Sequence, residues 1–198
     1  MSAETAANIL WVVWYVTWIA AVVWSARTKV QMKTDMSGPH RWLAGLGSLL
    51  LFMPAHHDQS GWSLGRFDWL ARKYWIEPTW VAWSLFALTA TGFAFCWWAR
   101  LHLGRLWSGF VTVKENHRVV DTGPYGLVRH PIYAGVIFSA FMMALLRASP
   151  ASVVGFGLFA AGFSMTAAIE ERFLREQLGA EAYDAYSRRV PMLIPMTR

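Results

Sequence analysis

Residues 78–99 read PTWVAWSLFALTATGFAFCWWA, 22 positions without one charged side chain. A helix needs about 20 apolar residues, within a range of about 17–25, to cross the hydrocarbon core of a bilayer. Four more charge-free stretches flank this one, at 5–26, 42–55, 130–146 and 148–169, with lengths of 22, 14, 17 and 22. Together the five take up about half of the 198 residues. The rest of the composition agrees. The chain is 56% hydrophobic and only 15% charged, where a soluble domain carries roughly a quarter charged residues. A disordered chain, a secreted disulfide scaffold and an ordinary soluble enzyme are excluded. The expected fold is all-α: an integral membrane bundle of about five transmembrane helices, with a cytoplasmic connector and a C-terminal amphipathic helix. Residues 1–198 form one domain, with N-terminal spans over 1–99 and a second half over 100–198.

The first stretch reads as a retained span, since only Glu4 precedes it and no basic residue does. Stretch 42–55 is short, about 20 Å of helix at 1.5 Å per residue. It needs bilayer thinning or flanking help to cross. The loops set an orientation. Connectors 27–41 and 100–129 and the segment from Arg172 onward hold 14 of the 18 Lys and Arg residues. The positive-inside rule places those three in the cytoplasm and the N-terminus outside. Five crossings give opposite termini, which agrees. The formal charge of +6 is spread over these loops and forms no stripe for nucleic acid.

Other features have plain readings. Cys96 is the single cysteine, so it makes no internal disulfide and reads as a small buried hydrophobe. Trp62, Phe67, Trp69, Tyr74 and Trp75 mark 56–77 as interfacial, and the 13 tryptophans read mostly as interfacial anchors. The run His56-His57-Asp58 lacks further ligands at metal spacing, and no metal site is expected. Gly155, Gly157, Ala161 and Gly162 permit close helix approach, with Gly157 and Ala161 as one such pair. No feature sets an oligomeric state.

The chemistry concentrates after residue 100. Thr122-Gly123-Pro124-Tyr125 is a turn sequence. Pro131 suits the first turn of a helix, so Arg129, His130 and Tyr133 stand at a helix start, with His130 and Tyr133 on one face. Glu170 and Glu171 close the last apolar stretch, where two carboxylates are costly unless paired or hydrated. Helical spacing pairs Glu171 with Arg175 and Arg172 with Glu176. Both clusters lie on the cytoplasmic side. They converge on a polar ligand, or else they are snorkelling and headgroup-binding residues.

From Gly123-Pro-Tyr-Gly-Leu-Val-Arg-His-Pro-Ile-Tyr-Ala-Gly135 through Glu170-Glu171, Leu174, Tyr183, Tyr186, Val190-Pro191 and Ile194-Pro195, the chain resembles the isoprenylcysteine carboxyl methyltransferase family. Leu103-Gly104 and Trp107-Ser108 fit the run before the connector. One residue more than the family pattern stands between Gly179 and Tyr183. The resemblance implies methyl transfer from S-adenosylmethionine, with S-adenosylhomocysteine as product, in the half 100–198. It implies a cytoplasm-facing cofactor pocket lined by Tyr125, His130 and Tyr133, with the Leu127 and Val128 backbone near the adenosine. Glu171 or Glu170 would meet the cofactor's ammonium or ribose, and Arg129 would orient the acceptor. The acceptor would be a lipophilic small molecule or lipidated group entering from the bilayer: a prenylcysteine-like carboxylate, a phospholipid amine or a small thiol. A carboxylate needs no base; an amine or thiol does, with Glu170, Glu171 and His117 as candidates.

Overall fold

A computed structural model describes residues 1–24, 28–31, 38–56, 64–104, 107, 112–114 and 120–197. Its helices are α1 (Ala3–Ala20), α2 (Pro39–Leu51), α3 (Asp68–Ala71), α4 (Thr79–Leu103), α5 (Pro131–Arg147), α6 (Pro150–Leu178) and α7 (Ala180–Arg189). Each of the five charge-free stretches becomes one helix. α4 and α6 are long and apolar enough to cross a membrane, and α5 is apolar but shorter, at 17 residues. α6 departs most from expectation, because it runs on through Glu170 and Glu171 to Leu178. Charged residues there change what the helix faces without ending it.

The fold is helical throughout as expected, apart from one short ribbon between two connectors. β1 (Thr28–Gln31) and β2 (Thr112–Lys114) form an antiparallel ribbon pairing Thr28 with Lys114 and Gln31 with Thr112. Both strands carry β-branched Thr and Val, which favour extended backbone. Two connectors leaving the same end of the bundle thus satisfy each other's backbone groups.

α2 packs along α6, α4 along α5, and α5 along α6, with α1 against α4. Glycine sets the closest approaches. A Cβ on Gly155 would overlap the Leu51 backbone, and one on Gly162 would reach Ala44 N and His40 O at 2.7 Å. Gly157 faces open space. The close pair on α6 is therefore Gly155 with Gly162, which meet α2, and the expected Gly157–Ala161 spacing is not the contact. On the other side, a Cβ on Gly135 would lie 2.6 Å from Cys96 Sγ. Cys96 is buried as expected, and its thiol donates to the Ile132 carbonyl at 3.3 Å. Gly155→Val is expected to lower the unfolding temperature, at a cost of about 1–3 kcal/mol or more. Gly157→Val should leave it nearly unchanged, and thermal scans of both in one detergent check this.

α5 and α6 form a hairpin closed by a capping box, in which the Ser149 and Ser152 hydroxyls each accept from the other's backbone N–H at 3.3 Å. At this end Arg147 is buried and bonds Glu4 at 3.0 Å and Asn8 at 2.9 Å, fastening α1 to the hairpin. At the opposite end of α4, Arg100 is wholly buried, with its guanidinium 3.4 Å from the Trp107 ring centroid and 5.2 Å from that of Trp18. It donates to the Ala21 carbonyl.

Several tryptophans are structural and not interfacial. Trp11 meets Phe52 and Phe93 edge-on at 5.1 and 4.7 Å between centroids, and Trp14 stacks on Phe93 at 4.7 Å. Trp42, Trp69 and Trp80 are exposed. His56 pairs with Asp68 at 3.1 Å, while His57 and Asp58 lie outside the described residues.

Candidate active site

The turn sequence folds as a tight helical turn, Gly123–Gly126. Gly123 has φ +58°, and a Cβ there would run into the His102 ring. Both facts demand glycine. His102 Nε2 is 3.0 Å from the Thr122 hydroxyl, and its ring lies over Tyr125. Tyr125 and Val128 are buried, whereas Leu127 is exposed. The Tyr186 hydroxyl donates to the Tyr125 carbonyl at 2.7 Å, tying the turn to α7. Tyr183, Tyr186 and Val190 pack with Leu174. Tyr183 is buried despite the extra residue after Gly179.

Just before α5 the backbone stops pairing within its own element. Arg129 N donates to the Pro191 carbonyl at 2.8 Å, and His130 N to the Met192 carbonyl at 3.1 Å. Pro131 then opens α5, where its missing N–H costs nothing. Residues 191–192 thus fix the orientation of Arg129 and His130.

The two sequence clusters meet. Arg129 Nε and Nη2 donate to the two oxygens of Glu171 at 2.6 and 3.0 Å, a bidentate fork. Its Nη1 donates to the Ser187 and Val190 carbonyls at 3.0 and 2.5 Å, which are groups left open where α7 ends. His130 Nε2 lies 3.2 Å from Glu171 Oε1, and Nδ1 lies 3.7 Å from Glu170 Oε2. The Tyr133 hydroxyl donates to Glu170 Oε2 at 3.0 Å. The His130 and Tyr133 rings stack with an interplanar angle of 4° and centroids 5.5 Å apart, as their shared face implied.

One expected pairing is replaced. Glu171 turns inward to Arg129, and Arg175 instead forks onto Asp184 of α7 at 2.7 and 2.9 Å. Arg172 and Glu176 form no ion pair among the described residues. Exposed neighbours along a helix gain only a few tenths of a kcal/mol, so a half-buried guanidinium across the site wins the carboxylate. His117 lies outside the described residues.

The carboxylates therefore differ. Both oxygens of Glu171 are taken, while Glu170 Oε1 has no partner among the described residues. The phenols around them stay neutral. Burial pushes Tyr125 above the ordinary tyrosine range, with the Glu170 charge adding to it. Burial does the same for Tyr183 and Tyr186. A phenol harder to ionise in the fold than in the unfolded chain contributes stability that is fully present below the unfolded value of about 10. That stability is lost as pH rises from there toward the folded value, because unfolding then releases protons. Alkaline unfolding beginning near pH 10 is expected, and a tyrosinate absorbance titration should show Tyr125, Tyr183 and Tyr186 ionising only as the protein unfolds.

Residues 82–176, from α4 to most of α6, match the model of the isoprenylcysteine carboxyl methyltransferase (ICMT) family. Over that stretch, just under half of its length, the chain is similar to the ICMT family. It is 25% identical over 183 residues to protein-S-isoprenylcysteine O-methyltransferase B of Arabidopsis thaliana, covering 90% of this chain and 85% of that one. It is 33% identical over 101 residues to the protein-S-isoprenylcysteine O-methyltransferase of Schizosaccharomyces pombe, covering 50% and 42%. It is also 29% identical over 121 residues to the cobalt-zinc-cadmium resistance protein CzcN of Cupriavidus metallidurans, covering 60% and 53%. The ICMT match includes the Arg129-His130-Pro131 corner and both carboxylates. It stops before α7 and the carbonyls of Ser187, Val190, Pro191 and Met192, which a side-chain motif does not reveal. This is an ICMT-like methyltransferase.

Proposed function

We propose that the chain is an integral-membrane methyltransferase that uses S-adenosylmethionine and releases S-adenosylhomocysteine, acting on a lipophilic acceptor with a prenylcysteine-like carboxylate. The observation that carries this is the meeting of Arg129, His130 and Tyr133 with Glu170 and Glu171 inside the stretch that matches the ICMT family model. When bound, the cofactor supplies a methyl already activated on a sulfonium. Tyr125, His130 and Tyr133 give the site aromatic walls, with the backbone of Leu127 and Val128 alongside. The free oxygen of Glu170 fits an ammonium, whereas Glu171 is occupied in holding Arg129 and His130.

This reading changes the part given to Arg129. All three of its nitrogens are engaged within the protein, so it is a positioning residue. A guanidinium near Tyr125 with donors to spare for an acceptor carboxylate is that of Arg100, whose Nε and Nη1 have no hydrogen-bond partner among the described residues. A buried cation with donors unanswered is costly, and a carboxylate would answer them with a charge-assisted bond. Carboxylate methylation calls for no general base. The work of the residues is alignment and exclusion of water.

We assign the chain five spans, α1, α2, α4, α5 and α6, with the N-terminus outside and the catalytic face and C-terminus in the cytoplasm. Ile9, Val12, Val13 and Val16 on α1, Leu46 and Leu49 on α2, and Val153 and Val154 on α6 are exposed, as lipid-facing residues are. In a bilayer, the full chain with methyl-labelled cofactor should label a prenylcysteine as a base-labile ester. Label on a phospholipid amine or a thiol instead would overturn the acceptor class. Failure to bind the cofactor would overturn the enzyme reading.

A further inference from the structure

Residues 1–81 lie outside the family match, yet the fold packs α2 from that part of the chain along α6, which carries Glu170. α2 runs antiparallel to α6 and is locked there backbone to backbone, since a Cβ on Gly162 would sit 2.7 Å from both Ala44 N and His40 O. That register sets Arg41, in the first turn of α2, beside the part of α6 leading to Glu170. The Tyr133 ring meets Phe163, the neighbour of Gly162, at 5.4 Å between centroids, and its hydroxyl donates to Glu170 Oε2 at 3.0 Å. Arg41 Nε is shut off from solvent without a hydrogen-bond partner, and no carboxylate pairs with Arg41 among the described residues.

Glu170 and the start of α2 that carries Arg41 thus lie on either side of the Tyr133–Phe163 contact, and the two charges do not bond each other. A carboxylate and a guanidinium so placed suit a zwitterion. Arg129 bonds only one of the two carboxylates, and the negative charge of Glu170 would repel a ligand carboxylate. Arg41 removes that repulsion.

We propose that Glu170 and Arg41 together receive the amino-acid end of the bound nucleoside, with Glu170 taking the ammonium and Arg41 the carboxylate. This rests on the methyltransferase reading above and gives the N-terminal half a place in the cofactor site. If Arg41 served only to set orientation by the positive-inside rule, ligand selectivity would not depend on it.

Two probes separate these roles: S-adenosylhomocysteine, and 5′-deoxy-5′-methylthioadenosine, the same nucleoside thioether without the amino-acid end. Both are titrated into the full-length protein in lipid nanodiscs, as wild type, Arg41→Gln and Arg41→Lys. Arg41→Gln should weaken S-adenosylhomocysteine roughly tenfold or more, the size of a lost charge-assisted bond, and leave methylthioadenosine within about twofold. Arg41→Lys should recover part of the loss. Equal weakening of both probes in Arg41→Lys, or no weakening of either in Arg41→Gln, overturns the proposal. A wild-type protein that binds neither probe overturns the methyltransferase reading itself.

Discussion

Arg129→Ala is expected to abolish methyl transfer and to loosen α7 at the same time. The substitution removes four donated bonds, two to Glu171 and one each to the Ser187 and Val190 carbonyls. Truncating one partner of a buried ion pair costs about 3–5 kcal/mol, and the half-burial of this pair puts the expected loss at or below the lower end of that range. What distinguishes positioning from acceptor binding is where the damage goes. If Arg129 held the acceptor, cofactor affinity and the packing of α7 would survive and only the acceptor's KM would rise. On the positioning reading, cofactor affinity falls, and hydrogen exchange over 180–190 speeds up. Arg129→Lys keeps the charge but loses the fork, so it should fall between. A variant that binds cofactor normally and keeps α7 protected would show that the guanidinium serves the acceptor after all.

The second large effect separates the carboxylates. Glu170→Gln should lower cofactor affinity and turnover by about tenfold to a hundredfold, the worth of roughly one charge-assisted bond to an ammonium, with little change in unfolding temperature. Glu171→Gln should do the reverse in proportion, because it breaks the fork to Arg129 and the bond to His130. Tyr133→Phe, which removes only the donor to Glu170, should resemble a weak Glu170 variant. Calorimetric titration with S-adenosylhomocysteine beside thermal scans tests all three. Equal destabilisation by Glu170→Gln and Glu171→Gln would contradict the division.

Much of this arrangement is legible in the residues. Absence of charge marks each long helix, Pro131 marks the start of α5, and three-residue spacing stacks His130 on Tyr133. These are local signals, since each depends on a few neighbours in the chain. The adjacent pair Glu170 and Glu171 is visible, but their roles are not. One helix turn cannot say which carboxylate faces a guanidinium some forty residues away. The same holds for the ribbon between β1 and β2, for Gly155 and not Gly157 meeting α2, and for Trp11 and Trp14 pointing inward. The carbonyls that hold Arg129 leave no trace in side-chain identity, because any residue supplies a carbonyl.

Those carbonyls also impose an order of events. The bond from Arg129 to Val190 spans 61 residues of chain, which a ribosome adds in about 3–12 s at ~5–20 residues per second. For the first 42 residues of that interval the guanidinium lacks Glu171, and for all of it the corner before α5 lacks the completed end of α7. The spans can enter the bilayer one by one as they emerge, but catalytic competence cannot build up gradually. It arrives in a single late step, when the segment around 187–192 emerges and closes on a corner made long before it.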